Sequence, residues 1–256
     1  MNQKLAIYSD LHIKTPKDPA YRSILNSMKE LNLNENDHLV FLGDIFDLMV
    51  GKTTLFRSYA EFFDLLKSLE CRGVEIFYVE GNHDFHMRGG LKDWGISKLH
   101  LISNGSFELQ FLGKNIYLTH GDLVNPKDYG YLFLRGLLRS PPLKALVGIL
   151  PGGVIQKVGN FTSQMSRDYT APAPEKREYL EVLYRNYACL KFKEGYDVVV
   201  SGHNHLKDFF QVHLGANRGL YLNSGYFPKD RLFVYFDETL EFPEFRRIEV
   251  LKALGI

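Results

Sequence analysis

Five short turns carry most of the chemistry available to this sequence. They read Ser9-Asp10-Leu11-His12, Gly43-Asp44 with Asp47 beyond, Gly81-Asn82-His83-Asp84, His120-Gly121-Asp122 and Gly202-His203-Asn204-His205. Each follows a short apolar run, so each is expected at the end of a strand. Side chains two apart in extended backbone share a face. Asp10 with His12, and His203 with His205, form such pairs. Carboxylates, an amide oxygen and neutral imidazoles, with no thiolate, suit Mn²⁺, Fe²⁺, Zn²⁺ or Co²⁺. The seven donors are Asp10, His12, Asp44, Asn82, His120, His203 and His205, more than one ion needs. They suit two ions sharing a carboxylate, an arrangement that clamps a phosphoryl group and activates water. Taken singly, each has an ordinary use: Asp10 and Asp44 as helix caps, Asn82 in a turn, His120 as a half-buried histidine. Their joint occurrence points to one site.

The elements that must position these turns alternate between strand and helix. Strands are expected at 5–10, 38–44 and 74–81, with helices at 18–32 and 53–69 between them. Near-continuous apolar strands separated by helices imply a sheet covered on both faces. From residue 106 the pattern becomes a hairpin, 106–122, around Gly113-Lys114. A helix at 175–192 precedes strands at 197–205, 208–214, 219–225 and 231–237. The expected architecture is two stacked mixed sheets with helices outside. In open α/β sheets, ligands sit at the carboxyl ends of strands, so all five turns are expected to face one cleft.

Composition narrows the function classes. A formal net charge of +1 over 256 residues leaves no broad footprint for nucleic acid. The two cysteines, Cys71 and Cys189, have no metal-type spacing and imply no disulfide framework. No signal peptide is expected, and no apolar run reaches the roughly 18 residues a membrane span needs. A cytoplasmic setting follows as an expectation.

The set D-x-H, G-D-x-x-D, G-N-H-D, H-G-D and G-H-x-H, in this order over residues 10 to 205, resembles the calcineurin-like metallophosphoesterases. The resemblance implies a four-layer α/β/β/α sandwich. It implies one ion on Asp10, His12, Asp44 and His205, and another on Asp44, Asn82, His120 and His203. Asp44 would bridge. His83 would face the phosphate and steady or protonate the leaving oxygen. Asp84 would orient His83 or cap the following turn.

Residues 125–175 do not fit a strand–helix alternation and are expected to form a helical cap, inserted between core segments 1–124 and 176–256. Leu132, Phe133, Leu137, Leu138, Leu143, Ile149 and Leu150 crowd the first half of it, edged by Arg135, Arg139 and Lys144. Such helices suit an anionic lipid surface or an acyl pocket, or simply pack on the main domain. The stretch 120–142 is similar to the UDP-2,3-diacylglucosamine pyrophosphohydrolases of lipid A synthesis. That resemblance implies cleavage to UMP and a lipid 1-phosphate, with Mn²⁺ ahead of Fe, Zn or Co. It also implies a place on the cytoplasmic face of the inner membrane, with no nucleic acid and no obligate protein partner. Asn82, His83, Asp128, Tyr131, Arg135 and Ser166 become expected substrate contacts. Familiar members carry Gly-Asn-Arg-Asp where this chain has Gly-Asn-His-Asp. The alternatives are a soluble phosphomonoesterase or cyclic-nucleotide phosphodiesterase, and a non-catalytic scaffold of the same fold. The scaffold would typically have lost ligands that are all present here.

Overall fold

A computed structural model describes residues 3–150, 174–215 and 217–249. The first sheet has six strands: β1 (Lys4–Tyr8), β2 (His38–Phe41), β4 (Glu75–Val79), β6 (His100–Ile102), β12 (Leu232–Asp237) and β13 (Glu244–Arg247), in the order β13-β12-β1-β2-β4-β6. Strands β1, β2, β4 and β6 run parallel; β12 and β13 are antiparallel additions. The second sheet has the order β10-β11-β9-β8-β7, built from β7 (Ser106–Phe111), β8 (Lys114–Thr119), β9 (Val198–Ser201), β10 (Asp208–Leu214) and β11 (Asn217–Asn223). Here β8, β9 and β11 are parallel.

Period-two alternation builds the layers. Leu5 and Ile7 of β1, Val40 of β2, Ile116 and Leu118 of β8, and Val198 and Val200 of β9 pack between the sheets. The alternate residues face outward. Ala6, Tyr8, Leu39 and Phe41 pack against α1 (Pro19–Glu30), α2 (Thr53–Ser58), α3 (Ala60–Cys71) and α4 (Arg88–Trp94). Tyr117 and Val199 pack against α7 (Pro174–Lys193). The result is helix, sheet, sheet, helix: the expected α/β four-layer sandwich.

Several boundaries differ from those read in the sequence. The helix expected at 53–69 is two helices, because the backbone breaks at Tyr59 (φ −119°, ψ 35°). The hairpin turns on Leu112-Gly113 rather than on Gly113-Lys114; Phe111 pairs with Lys114, and both turn residues have positive φ. That is the conformation a two-residue hairpin favours. A two-stranded ribbon of β3 (Met49–Val50) and β5 (Asp84–Phe85) and a single-turn helix α8 (Phe227–Asp230) were not anticipated.

Within the segment expected to be a cap, α5 (Tyr129–Leu138) and α6 (Pro141–Ile149) are described; Ser166 and the rest of 151–173 lie outside the described residues. No helix among the described residues is long and apolar enough to cross a membrane. Cys71 and Cys189 are free thiols.

Candidate dinuclear metal centre

Beyond their last paired residues, the loops after β1 and β2 keep bonding to each other. The amides of Asp10, His12 and Ile13 donate to the carbonyls of Gly43, Asp44 and Ile45. This lays Asp10 and His12 beside Asp44. From the second sheet, the Gly202 amide donates to the His120 carbonyl, which registers the β8 and β9 loops. The His203 amide then donates to both oxygens of Asp10, at 3.0 and 3.1 Å, across the gap between the sheets.

The structure brings the seven residues into two sets that meet at Asp44. Asp10, His12, Asp44 and His205 offer donor atoms all within 4.8 Å of one another, and so do Asp44, His120 and His203. In the first set, His12 Nε2 lies 3.0 Å from His205 Nε2, His205 Nε2 lies 3.3 Å from Asp10 Oδ1, and His12 Nε2 lies 3.8 Å from Asp44 Oδ2. In the second, Asn82 Oδ1 lies 3.1 Å from His120 Nε2 and 3.0 Å from His203 Nδ1, and His120 Nε2 lies 3.7 Å from Asp44 Oδ1. Asp44 thus turns one oxygen to each set. Two donors on one ion at bonds of ~2.1 Å sit about 3 Å apart across a right angle. Lone pairs converging at that spacing match what a shared cation requires.

The surroundings tune these groups. The His120 Nδ1–H donates to the Leu42 carbonyl at 2.7 Å, which leaves Nε2 to accept a metal. His12 Nδ1 lies 3.5 Å from the Asp47 carboxylate, giving Asp47 a supporting role behind the first set. Burial is the main reason His203 is pushed down to about 4, and burial also lowers His12 against the pull of Asp47 and Asp44. Both are therefore neutral near pH 7, the state that binds a metal. Burial lowers His120 too, but Asp44, Asp122 and Asp10 outweigh it and the net shift is upward. Burial opposes the charge on Asp44; the imidazoles of His83, His120, His12 and His203 overcome it and hold the carboxyl well below its usual range.

Backbone geometry marks the same residues. Asp10, His12, Asp44, His203 and His205 all have φ between 46° and 69°. Non-glycine residues seldom adopt that region, and those that do concentrate at functional sites.

The chain's residues 3–207 match the family model described as calcineurin-like phosphoesterase. The chain belongs to the calcineurin-like phosphoesterase family. This phosphoesterase is similar to a UDP-2,3-diacylglucosamine hydrolase of Pseudomonas savastanoi pv. phaseolicola, with 26% identity over 212 residues, covering 82% of this chain and 83% of that one. A protein of the same name from Stutzerimonas stutzeri is 28% identical over 172 residues, covering 65% and 68%. A solved archaeal phosphodiesterase aligns at 17% identity and a TM-score of 0.46, covering 95% and 98%.

As a family member, the protein is a metal-dependent phosphoester hydrolase. Two divalent ions on these sets would supply Lewis acidity toward the phosphoryl group and a water acidic enough to attack near neutral pH. The cleft beside them is lined by Asp44, Asn82, His83, Asp128, Tyr131 and His203, with Lys176, Leu180 and Tyr184 of α7 closing one side. His83 Nδ1 lies 2.8 Å from the Asp47 carbonyl, which can only accept. Nδ1 therefore carries a proton, and Nε2 remains for the cleft, where it donates only when the ring is doubly protonated.

Asp84 departs from one of its two expected roles. It does not orient His83, whose ring is held by Asp47. Its buried carboxylate accepts from the amides of Gly81, Asp44 and Ile45 at 2.8–3.0 Å and from Tyr78 Oη at 2.6 Å. It is a positioning group that locks the β2 and β4 turns together. Burial, then the charge of Asp44, raises it to about 6.

Arg135 also departs from expectation. Its Nε is 2.5 Å from Asp122 Oδ2, so it braces the His-Gly-Asp loop. Tyr131 Oη donates to the same oxygen at 2.9 Å while its ring lies 5.2 Å from the His203 ring at the cleft. Asp128 caps α5 by accepting from the Tyr131 amide. Asp122 of the His-Gly-Asp turn is the anchor of Tyr131 and Arg135. His86 donates Nε2–H to the Leu138 carbonyl at the end of α5.

Gly202 shows how tightly the site is built. A Cβ there would collide with the carboxylate of Asp10 and the hydroxyl of Ser9. Gly202→Ala is expected to displace Asp10 and weaken binding of the first ion by about tenfold or more, as strain of ~1–3 kcal/mol would imply. Calorimetric titration with Mn²⁺ reads this; an unchanged isotherm would show that the loop yields without cost.

Proposed function

We propose that this phosphoesterase hydrolyses the pyrophosphate bond of UDP-2,3-diacylglucosamine, or a close lipid-linked sugar nucleotide, adding water across the P–O–P bridge to release UMP and a lipid 1-phosphate. One ion sits on Asp10, His12, Asp44 and His205 and the other on Asp44, Asn82, His120 and His203, with Mn²⁺ as the first choice of metal. Asn82 and His83 meet the phosphate. Asp128 and Tyr131 meet the sugar or nucleotide. Residues 125–175 act as the cap that receives the acyl chains, and the enzyme works at the cytoplasmic face of the inner membrane.

The observation that carries this reading is the inverted seating of α5. Its polar residues face the catalytic loops, whereas Tyr129 and Phe133 are 75% and 76% exposed and Leu134 and Leu137 about half exposed. Ile149 at the end of α6 is 82% exposed. An apolar surface of this kind beside a polar cleft suits a substrate that is polar at the reacting end and aliphatic at the other. The names of the relatives agree with it. A second reading, a general phosphodiesterase, is favoured by His83 standing where lipid-specific members carry arginine.

The two readings separate by rate. Burying one leucine-sized group is worth roughly 1.5–3 kcal/mol, so a diacylated substrate should exceed UDP-N-acetylglucosamine by at least about 10²-fold in kcat/KM. Phe133→Asp and Leu137→Asp should lower lipid turnover about tenfold or more and leave an aryl phosphodiester unchanged. Equal turnover of the two UDP-sugars would remove the lipid reading and leave the general phosphodiesterase.

A further inference from the structure

The turn that carries Asn82 and His83 is held from outside by a residue no motif contains. Arg139, the C-cap of α5, is largely buried, and its guanidinium reaches down to the ends of β4 and β6. Nη2 donates to the carbonyls of Glu80 and Gly81, both at 2.9 Å. Nη1 donates to the Ser103 carbonyl at 2.7 Å and lies 3.4 Å from the buried carboxylate of Glu80. That carboxylate in turn accepts from the Met87 amide at 2.8 Å, just past the turn.

The Gly81 carbonyl and the Asn82 amide belong to one planar peptide unit. A donor that fixes the carbonyl therefore fixes the plane from which Asn82 departs. On the other side of Gly81, its amide is tied to Asp84 Oδ1. With both faces of Gly81 bonded, the turn has one orientation, and Asn82 Oδ1 lies 3.0–3.1 Å from His203 and His120 in that orientation. A guanidinium suits the task because it is planar, permanently charged and forked. Without it, three carbonyls lose a donor and the Glu80 carboxylate loses its cation.

We propose that Arg139 is a positioning residue for the second metal position, setting the peptide that carries Asn82 and His83 and coupling it to the seat of α5. Residues 131, 135 and 139 lie on one stripe of the helix. Tyr131 and Arg135 bind the His-Gly-Asp loop through Asp122, and Arg139 binds the Gly-Asn-His-Asp loop. One helix face thus holds two catalytic loops in register. The role does not depend on which phosphoester is the substrate.

The test uses full-length Arg139→Ala and Arg139→Gln, with Mn²⁺ titrated into metal-free protein and an aryl phosphodiester as substrate. Arg139→Ala is expected to keep one Mn²⁺ affinity and weaken the other, and to lose about 10²-fold in kcat with little change in KM, as a small misplacement of a reacting group would produce. Amide exchange in the metal-free protein should quicken in the peptide spanning 80–84 and stay unchanged in β8 and β9. Arg139→Gln, which retains one amide donor, should fall between alanine and wild type in all three readouts; it carries the test if alanine does not fold. A variant that folds, retains both affinities and kcat within twofold, and loses only thermal stability would show a merely structural arginine and overturn the proposal.

Discussion

Asp44→Asn is expected to yield a folded protein that no longer holds two divalent ions and has lost at least ~10³-fold in kcat/KM. Asparagine preserves volume and an acceptor for the His83 amide, which bonds Asp44 Oδ1 at 3.0 Å, so the turn should survive. What disappears is the charge, and one of the two oxygens that face the two donor sets. Asp44 is almost fully buried and is the only residue common to both sets. Each metal position loses an anionic donor at once, and Lewis acidity worth several kcal/mol goes with them, at about 1.4 kcal/mol per tenfold in rate. The four imidazoles that now favour an ionised Asp44 would face a neutral amide. Elemental analysis after dialysis against Mn²⁺, together with aryl phosphodiester turnover, reads the outcome. Two tightly held ions in the variant would mean that the bridging position belongs to another group.

His83→Gln should behave differently: both ions retained, kcat reduced by about 10²-fold or more, and the loss concentrated on substrates with poor leaving groups. His83 lines the cleft yet belongs to neither converging set. Its Nδ1–H is committed to the Asp47 carbonyl, so Nε2 is the nitrogen that, in the doubly protonated ring, can steady or protonate a departing oxygen. General acid catalysis contributes typically 10²–10⁴-fold, and less when the leaving group needs no proton. A series of aryl phosphodiesters of graded leaving-group pKa measures this. A uniform loss across the series, accompanied by loss of one ion, would make His83 a ligand and not an acid.

Much of the site was legible because it lies at strand ends, where donor types two apart announce themselves. The layers were legible because Leu5, Ile7, Val198 and Val200 alternate or run continuously in the way buried strands require. Other features left no such mark. The break at Tyr59 occurs inside an unbroken amphipathic pattern. Asp84 and Arg139 act mostly on main-chain amides and carbonyls, which every residue possesses, so most of their partners have no signature in side-chain types. The seating of α5 was ambiguous for a related reason: an apolar stripe normally turns inward, and only the hydrogen bonds of Tyr131, Arg135 and Arg139 show that here it turns outward.

The division of donors between the two sheets bears on the order of folding. The first sheet supplies Asp10, His12, Asp44 and Asn82; the second supplies His120, His203 and His205. Neither set closes within one sheet, and the last donors, His203 and His205, follow β9. A nascent polypeptide therefore has no complete trap for an ion until its late strands have docked. These are contacts of long sequence separation, whose closure is slow. Full coordination of an ion at either position would therefore follow the docking of the two sheets, because each set draws donors from both.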